Sequence, residues 1–126
     1  MEQLLAIAAG GALGAVGRYL AIGQVGRWLG TAFPFGTIAV NLLGSFAMGL
    51  LVEAAANAWP ISAALKSFLA VGVLGAFTTF STFSMDVALL YQRGTFGRLA
   101  AYVLASVALS IGGLFAGLHL MRALLG

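Results

Sequence analysis

The stretch Gly72-Val73-Leu74-Gly75-Ala76-Phe77-Thr78-Thr79-Phe80-Ser81-Thr82-Phe83-Ser84-Met85-Asp86 decides the fold of this chain, because it places polar side chains inside an apolar span. Five hydroxyl side chains are interleaved there with three phenylalanines. A lipid bilayer has no water to satisfy hydroxyl groups, so these side chains must face protein or a wet cavity. The stretch therefore predicts the lining of a polar path through a membrane-embedded protein.

The composition is typical of a membrane protein. Hydrophobic residues make up 62% of the 126 residues, charged residues make up 7%, and the mean hydropathy is +1.08. Soluble domains carry charge on about 25% of their residues, so the expected surroundings of this chain are membrane lipid. The six Lys and Arg residues are scattered, which argues against a nucleic-acid partner. With no cysteine and one histidine, no nucleophile–base pair or thiolate metal site can form, and the chain is predicted not to be an enzyme.

Four apolar segments, over residues 4–23, 34–56, 62–93 and 95–125, predict four transmembrane helices. At about 1.5 Å per residue the first segment reaches roughly 30 Å, the thickness of a hydrocarbon core. The third segment is longer than a straight span needs, so a tilt, a kink or a break is expected. The predicted fold is all-α and integral to the membrane, with a single four-helix domain over residues 1–126.

The charged residues give only a weak signal for orientation. An even number of spans places Lys66 and Arg122 on one side of the membrane. The other side receives four arginines, Arg18, Arg27, Arg93 and Arg98. A weak bias fits opposed copies that pair through an in-plane two-fold axis, and it also fits a single orientation with the first and third loops in the cytoplasm. The charges alone do not decide between them.

Small residues recur at the four-residue spacing of helix contacts. The pairs are Gly10 and Gly14, Ser45 and Gly49, Gly72 and Ala76, and Gly113 and Gly117. Such pairs let two helix backbones approach closely. The contacts lie either within one protomer or across an interface between protomers, and the sequence leaves both open.

Two polar side chains lie on one face of the second segment. Asn41 is about 10 Å into that helix, and Thr37 sits one turn earlier. A buried amide needs partners. Asn41 either hydrogen-bonds a neighbouring helix or presents its NH2 donors to an anion. Thr37 has a structural alternative of its own, because threonine often bonds back to its own helix.

Phe77, Phe80 and Phe83 recur every third residue and form one stripe if the backbone there is helical. Aromatic stripes in membranes usually serve packing, but the positive edge of a ring can also meet a small anion. Hydroxyl donors accompany the rings or recur on the fourth helix, namely Ser81, Thr82, Ser84, Tyr102, Ser106 and Ser110. Their alternative role is hydrogen bonding between helices.

Gly75 and Thr78 bear on a cation site. A glycine ahead of two threonines can unwind a helix and free carbonyl oxygens for a cation, as the discontinuous helices of transporters do. The same residues can also produce an ordinary kink. Arg18 is expected to snorkel or to pair, and Asp86 and Glu53 are expected at or near the aqueous ends.

Three motifs carry a resemblance to a known family. They are GALGAVGRY at residues 11–19, GTIAVN at residues 36–41, and residues 72–83 with their TTFSTF core. In this order they cover essentially the whole chain, and they resemble the Fluc/CrcB family of small membrane fluoride channels. The resemblance implies that the long third segment is a helix broken within residues 76–79.

The family resemblance also implies a function. It implies a dual-topology antiparallel homodimer in the inner (plasma) membrane of the cell, with two pores that export fluoride passively and selectively. Fluoride would pass Phe80 and Phe83, with Asn41 as a pore donor and Ser and Thr hydroxyls along the track. A structural sodium ion (Na+) at the dimer centre would be held by the backbone carbonyls of Gly75 and Thr78.

The alternative function is a small dual-topology proton-coupled multidrug exporter. Such a transporter needs a titratable acid within the membrane, and no Asp or Glu lies in the middle of a predicted span. A passive assembly subunit would fit the small-residue pairs, but it leaves the run of hydroxyls and phenylalanines unexplained.

Overall fold

The computed structural model describes residues 1–57 and 59–126, and the regular structure of these residues is helical. Four of the helices are long and apolar enough to cross a membrane. They are α1 (Glu2–Leu29), α2 (Phe35–Asn57), a third helix over Ala63–Gln92 and a fourth over Phe96–Leu125. The predicted all-helical fold with four long apolar helices is confirmed, and the chain is a multi-pass membrane protein.

The surface of the bundle is apolar, as contact with lipid requires. Large side chains such as Leu13, Trp28 and Leu104 are exposed, whereas the fully buried side chains of the described residues are few and include Val40 and Tyr102. In water, so much exposed apolar surface would drive association. In a bilayer the same side chains are solvated by lipid tails.

The third spanning helix consists of four pieces in chain order, α3 (Ala63–Lys66), a π-helix (Ser67–Leu74), α4 (Gly75–Phe77) and α5 (Phe80–Gln92). Between α4 and α5, Thr78 and Thr79 have extended backbones with ψ angles of 159° and 119°. The break predicted within residues 76–79 is therefore confirmed, and it occupies the last two of them. A tight turn at Gly94, with a φ of 74°, then leads into α6 (Phe96–Leu125).

Glycines set the close approach of α2 to α6, one of the two most extensive helix contacts in the protomer. A Cβ atom on Gly49 would collide with the backbone carbonyl of Leu114, and one on Gly117 would collide with that of Phe46. Only a residue without a side chain lets the two backbones lie this close. These small residues therefore pack within one protomer.

The contact between α1 and the π-helix follows the same rule. A Cβ atom on Gly10 would collide with the carbonyl of Phe68, and one on Gly14 would collide with that of Val73. Gly72 faces Gly10 across the same contact, where a Cβ atom would lie 2.9 Å from the Gly10 Cα. Three glycines thus join the first half of the third spanning helix to α1.

An ion pair joins the last turn of α2 to the end of α6. Arg122 Nε donates to Glu53 Oε1 at 2.9 Å, and Asn57 Nδ2 donates to the same oxygen at 3.0 Å. Glu53 is buried, whereas the Arg122 side chain is 63% exposed. A buried lone carboxylate would be costly, so these two donors explain why an acid is tolerated there.

Candidate functional site

The Asn41 side chain holds the break in the third spanning helix. The Thr79 N–H donates to Asn41 Oδ1 at 2.7 Å, and Asn41 Nδ2 donates back to the Thr79 carbonyl at 3.1 Å. The Asn41 side chain thus pairs with both backbone polar groups of Thr79, as a neighbouring β-strand would. Of the two roles left open for Asn41, the bond to a neighbouring helix is present, and the amide NH2 keeps one further N–H for another acceptor.

Four backbone carbonyls, those of residues 75–78, lose their helical donors at this break. In a continuous helix, the Thr79 N–H would donate to the Gly75 carbonyl and the Thr82 N–H to the Thr78 carbonyl. The Thr79 N–H donates instead to Asn41, and the Thr82 N–H donates to Thr79 Oγ1 at 3.1 Å. Gly75 and Thr78, the two residues expected to hold a cation, are thus two of the four residues whose carbonyls lack a helical donor.

The break also divides the predicted phenylalanine stripe. Phe80 and Phe83 lie on α5 with ring centroids 5.4 Å apart. Phe77 lies on α4, where its ring faces Gly17 of α1 and Gly44 of α2. A stripe of three rings required a continuous helix. Because the two residues between α4 and α5 are extended, only Phe80 and Phe83 form a pair, and Phe77 packs against α1 and α2 instead.

Phe83 links that ring pair to α6. Its ring centroid lies 5.2 Å from that of Tyr102, which is fully buried, while Phe80 is 78% exposed at the edge of the protomer. Aromatic rings at these separations make favourable contacts through ring edges and faces. Phe80, Phe83 and Tyr102 therefore form a row that runs from the protomer surface to its interior.

Asp86 joins three helices beyond the aromatic row. Its Oδ2 atom accepts hydrogen bonds from Thr37 Oγ1 at 2.7 Å and from Tyr102 OH at 2.8 Å. Arg93 and Thr31 lie nearer the loops and line a cavity of about 50 Å³ with Asp86. The sequence analysis placed Asp86 near an aqueous end but did not identify its partners. The signal that could have found them is that Thr37, Asp86 and Tyr102 all lie near the first or third loop.

A polar cavity of about 320 Å³ lies on the other side of the aromatic row. Its lining consists of Asn41, Ser45, Thr78, Thr79, Phe80, Phe83, Ser106, Val107, Ser110 and Ile111. The predicted residues Asn41, Phe80, Phe83, Ser106 and Ser110 are thus brought together. Ser45 was missed as a site residue because its spacing to Gly49 indicated only helix packing. The buried Ser106 hydroxyl has no hydrogen-bond partner within the described residues.

The other hydroxyls of α5 lie outside this cavity. Ser84 Oγ donates to the Phe80 carbonyl at 3.0 Å, and Ser81 Oγ lies 3.4 Å from Thr79 Oγ1. Thr82 lines a separate cavity of about 860 Å³ against the second half of α1, together with Arg18. Ser81 and Thr82 point away from the side occupied by Phe80 and Phe83, whereas Ser84 lies one turn from Phe80 and its hydroxyl is used by the Phe80 carbonyl.

No side-chain cluster suited to a metal ion occurs in residues 1–57 and 59–126, where no three His, Cys, Asp or Glu residues come together. A cation at this site would therefore depend on backbone oxygens. Sodium accepts carbonyl ligands of this kind, and the freed Gly75 and Thr78 carbonyls offer them at the break.

The comparisons with known proteins agree on one family. The family model described as CrcB-like protein, Camphor Resistance (CrcB), matches residues 5–118. A protein of Rhodospirillum centenum named fluoride-specific ion channel FluC is 60% identical over 122 residues, which cover 97% of each chain. Proteins of the same name from Chelativorans sp. and Agrobacterium fabrum are 56% and 49% identical, over 99% and 97% of this chain and 100% and 98% of their own. The chain therefore belongs to the CrcB family.

Proposed function

We propose that this chain forms a passive, fluoride-selective ion channel that exports fluoride across the membrane. The observation that carries the proposal is a line of side chains. It starts at Asp86 with its partners Thr37 and Tyr102, passes the Phe83 and Phe80 rings, and ends at the polar cavity beside Asn41. The line runs through a protein that otherwise presents apolar surface. The relatives named fluoride-specific ion channels support the choice of ion.

The chemistry of this line suits fluoride. Fluoride is small, strongly hydrated and an avid hydrogen-bond acceptor, so a pore must replace its water with other donors. The Ser106 and Ser110 hydroxyls are such donors, and Asn41 has one N–H that Thr79 does not use. The Thr37 and Tyr102 hydroxyls donate to Asp86 and would have to turn from that carboxylate to the ion. The positive ring edges of the phenylalanines stabilise a dehydrated anion between the two donor clusters. The predicted donors Ser81, Thr82 and Ser84 lie outside the polar cavity beside Asn41, and their place on the fluoride track stays a prediction.

We also propose that two copies pair as an antiparallel homodimer of dual topology in the inner membrane of the cell. Phe80, Ser81 and Ser84 are exposed on α5 at mid-span, and the polar cavity beside Phe80 reaches the protomer surface. Lipid cannot satisfy polar groups, so a protein surface must cover them. A second copy is the cover that we propose, because a chain whose loop charges give only a weak orientation signal can insert in both directions.

Sodium is the proposed structural ion of this dimer. The proposed ligands are the Gly75 and Thr78 carbonyls, to which the family resemblance points, and both lack the donors that a continuous helix would give them. Bound there, the ion would supply a fixed positive charge close to the break. The donor set fits, because backbone oxygens at interrupted helices are known ligands for sodium.

The exporter alternative has no support in the comparisons or in the acids of the chain. Glu53 is paired with Arg122, and Asp86 accepts two hydroxyl hydrogen bonds. Neither carboxylate lies at the centre of a span. A proton-coupled exporter requires a carboxylate that exchanges protons with cations at mid-membrane.

The central prediction concerns transport itself. Liposomes that contain the purified protein are expected to release fluoride down its gradient without a proton gradient, and to release chloride far more slowly, because chloride is larger and a weaker hydrogen-bond acceptor. A fluoride electrode and a chloride electrode measure the two rates. Equal rates for the two halides, or a requirement for a proton gradient, would contradict the proposal.

A second prediction separates pore rings from packing rings. Phe80→Ile and Phe83→Ile keep apolar bulk and should cost less than about 1.5 kcal/mol of stability. The loss of a positive ring edge should lower fluoride flux by roughly tenfold. Phe115→Ile, at an exposed position of α6, is the control and should leave flux unchanged. Parental flux in both α5 variants would assign these rings to packing.

A third prediction concerns topology. A single cysteine introduced at Gly126 of this cysteine-free chain should be labelled partly from outside and partly only after the cells are opened, because both orientations coexist. A membrane-impermeant thiol reagent applied to sealed cells gives the measurement. Labelling from one side alone would rule out dual topology.

A fourth prediction concerns the ion. Replacement of sodium by potassium throughout purification should reduce both the dimer fraction and the fluoride flux, because a larger cation fits the same carbonyls poorly. Light scattering on a sizing column reports the dimer, and the electrode assay reports flux. If both persist after sodium removal has been verified by elemental analysis, the break is an ordinary kink.

A further inference from the structure

Ser45 lies on α2 one helical turn beyond Asn41 and lines the same polar cavity. On the facing helix, Ser106 and Ser110 are also one turn apart and line the cavity from α6. Residues four apart on a helix lie on one face, so each helix presents two polar side chains in register. The cavity therefore has polar walls on two sides.

Helix packing does not explain a serine at position 45. The close approach of α2 and α6 depends on Gly49 and Gly117, whose missing side chains make room for backbone carbonyls of the other helix. Ser45 belongs to the same small-residue pair as Gly49, yet it faces the cavity. An alanine would serve packing equally well at that position, which leaves the hydroxyl itself to be explained.

The Ser106 hydroxyl points to a ligand in this space. Ser106 is only 5% exposed, and its oxygen lies near the Tyr102 hydroxyl but makes no hydrogen bond of good geometry among the described residues. Buried hydroxyls are almost always paired, and an unpaired one in a native protein requires an explanation. By contrast, Ser84 on α5 satisfies its hydroxyl with the Phe80 carbonyl of its own helix.

We propose that Ser45 is a further pore residue whose hydroxyl donates to fluoride in this cavity, opposite Ser106 and Ser110. The inference rests on the proposed function and extends it to a residue of α2 beyond Asn41. Hydroxyls on two facing helices approach the ion from opposite directions, which is how a hydration shell is replaced. A cavity of about 320 Å³ also leaves room for several waters around the ion.

The test compares substitutions at position 45 in liposomes that contain the full chain. Ser45→Ala removes the donor and keeps the small size, so fluoride flux should fall by roughly tenfold, the effect of one hydrogen bond to a charged group. Ser45→Thr keeps the hydroxyl and should retain most of the flux. Ser67→Ala is the matched control, because Ser67 lies outside the cavity and its hydroxyl donates to Gln3 at 3.5 Å.

The outcomes separate this inference from the proposed function. If the parental protein releases no fluoride, the proposed function fails. If the parental protein does so and Ser45→Ala matches it, only the assignment of Ser45 is overturned. A loss of flux that follows a loss of dimer on a sizing column would make Ser45 a packing residue and would overturn the assignment too. Reduced flux with an unchanged dimer fraction supports it.

Discussion

The two hydrogen bonds between the Asn41 side chain and the Thr79 backbone are the interaction on which the rest of the site depends. A broken helix inside a bilayer leaves peptide groups that water cannot satisfy. The Asn41 amide satisfies both polar groups of Thr79, and the Thr79 hydroxyl in turn caps α5 through the Thr82 N–H. These bonds make an extended segment tolerable at mid-span. They also fix the direction in which α5 leaves the break.

The same constraint explains how polar groups are distributed in the bundle. Asp86 takes two hydroxyl donors from α2 and α6, and Glu53 takes Arg122 and Asn57. Both carboxylates thus accept hydrogen bonds from side chains of other helices, and Glu53 accepts one more from Asn57 of its own helix. Among the described residues, one buried side-chain polar atom lacks a partner, the Ser106 hydroxyl, and it lies at the cavity beside the break. In a solvent without hydrogen bonds, such a group indicates a place that water or an ion reaches.

The features of the fold that could be predicted best from the sequence are those that depend on local residue patterns. Apolar runs predicted the four long helices, and the hydroxyl-rich run with its family resemblance predicted the break now observed at Thr78 and Thr79. Properties that depend on tertiary direction were harder to predict. The place of Phe77 depends on two backbone residues that turn α5 away from α4, and the place of Ser45 depends on how α2 faces α6.

The π-helix over Ser67–Leu74 has a consequence for how the length of this chain can vary. Each π turn holds one more residue than the α turn that it replaces, so the segment stores residues that an α-helix would not need. A deletion of one residue there can be absorbed by a return to α-helical winding. The same deletion within α5 would rotate everything before it by roughly 100° relative to everything after it. We therefore expect relatives of different length to gain or lose residues before the break, in the π-helical segment. The number of residues from Thr79 to Asp86 should stay the same.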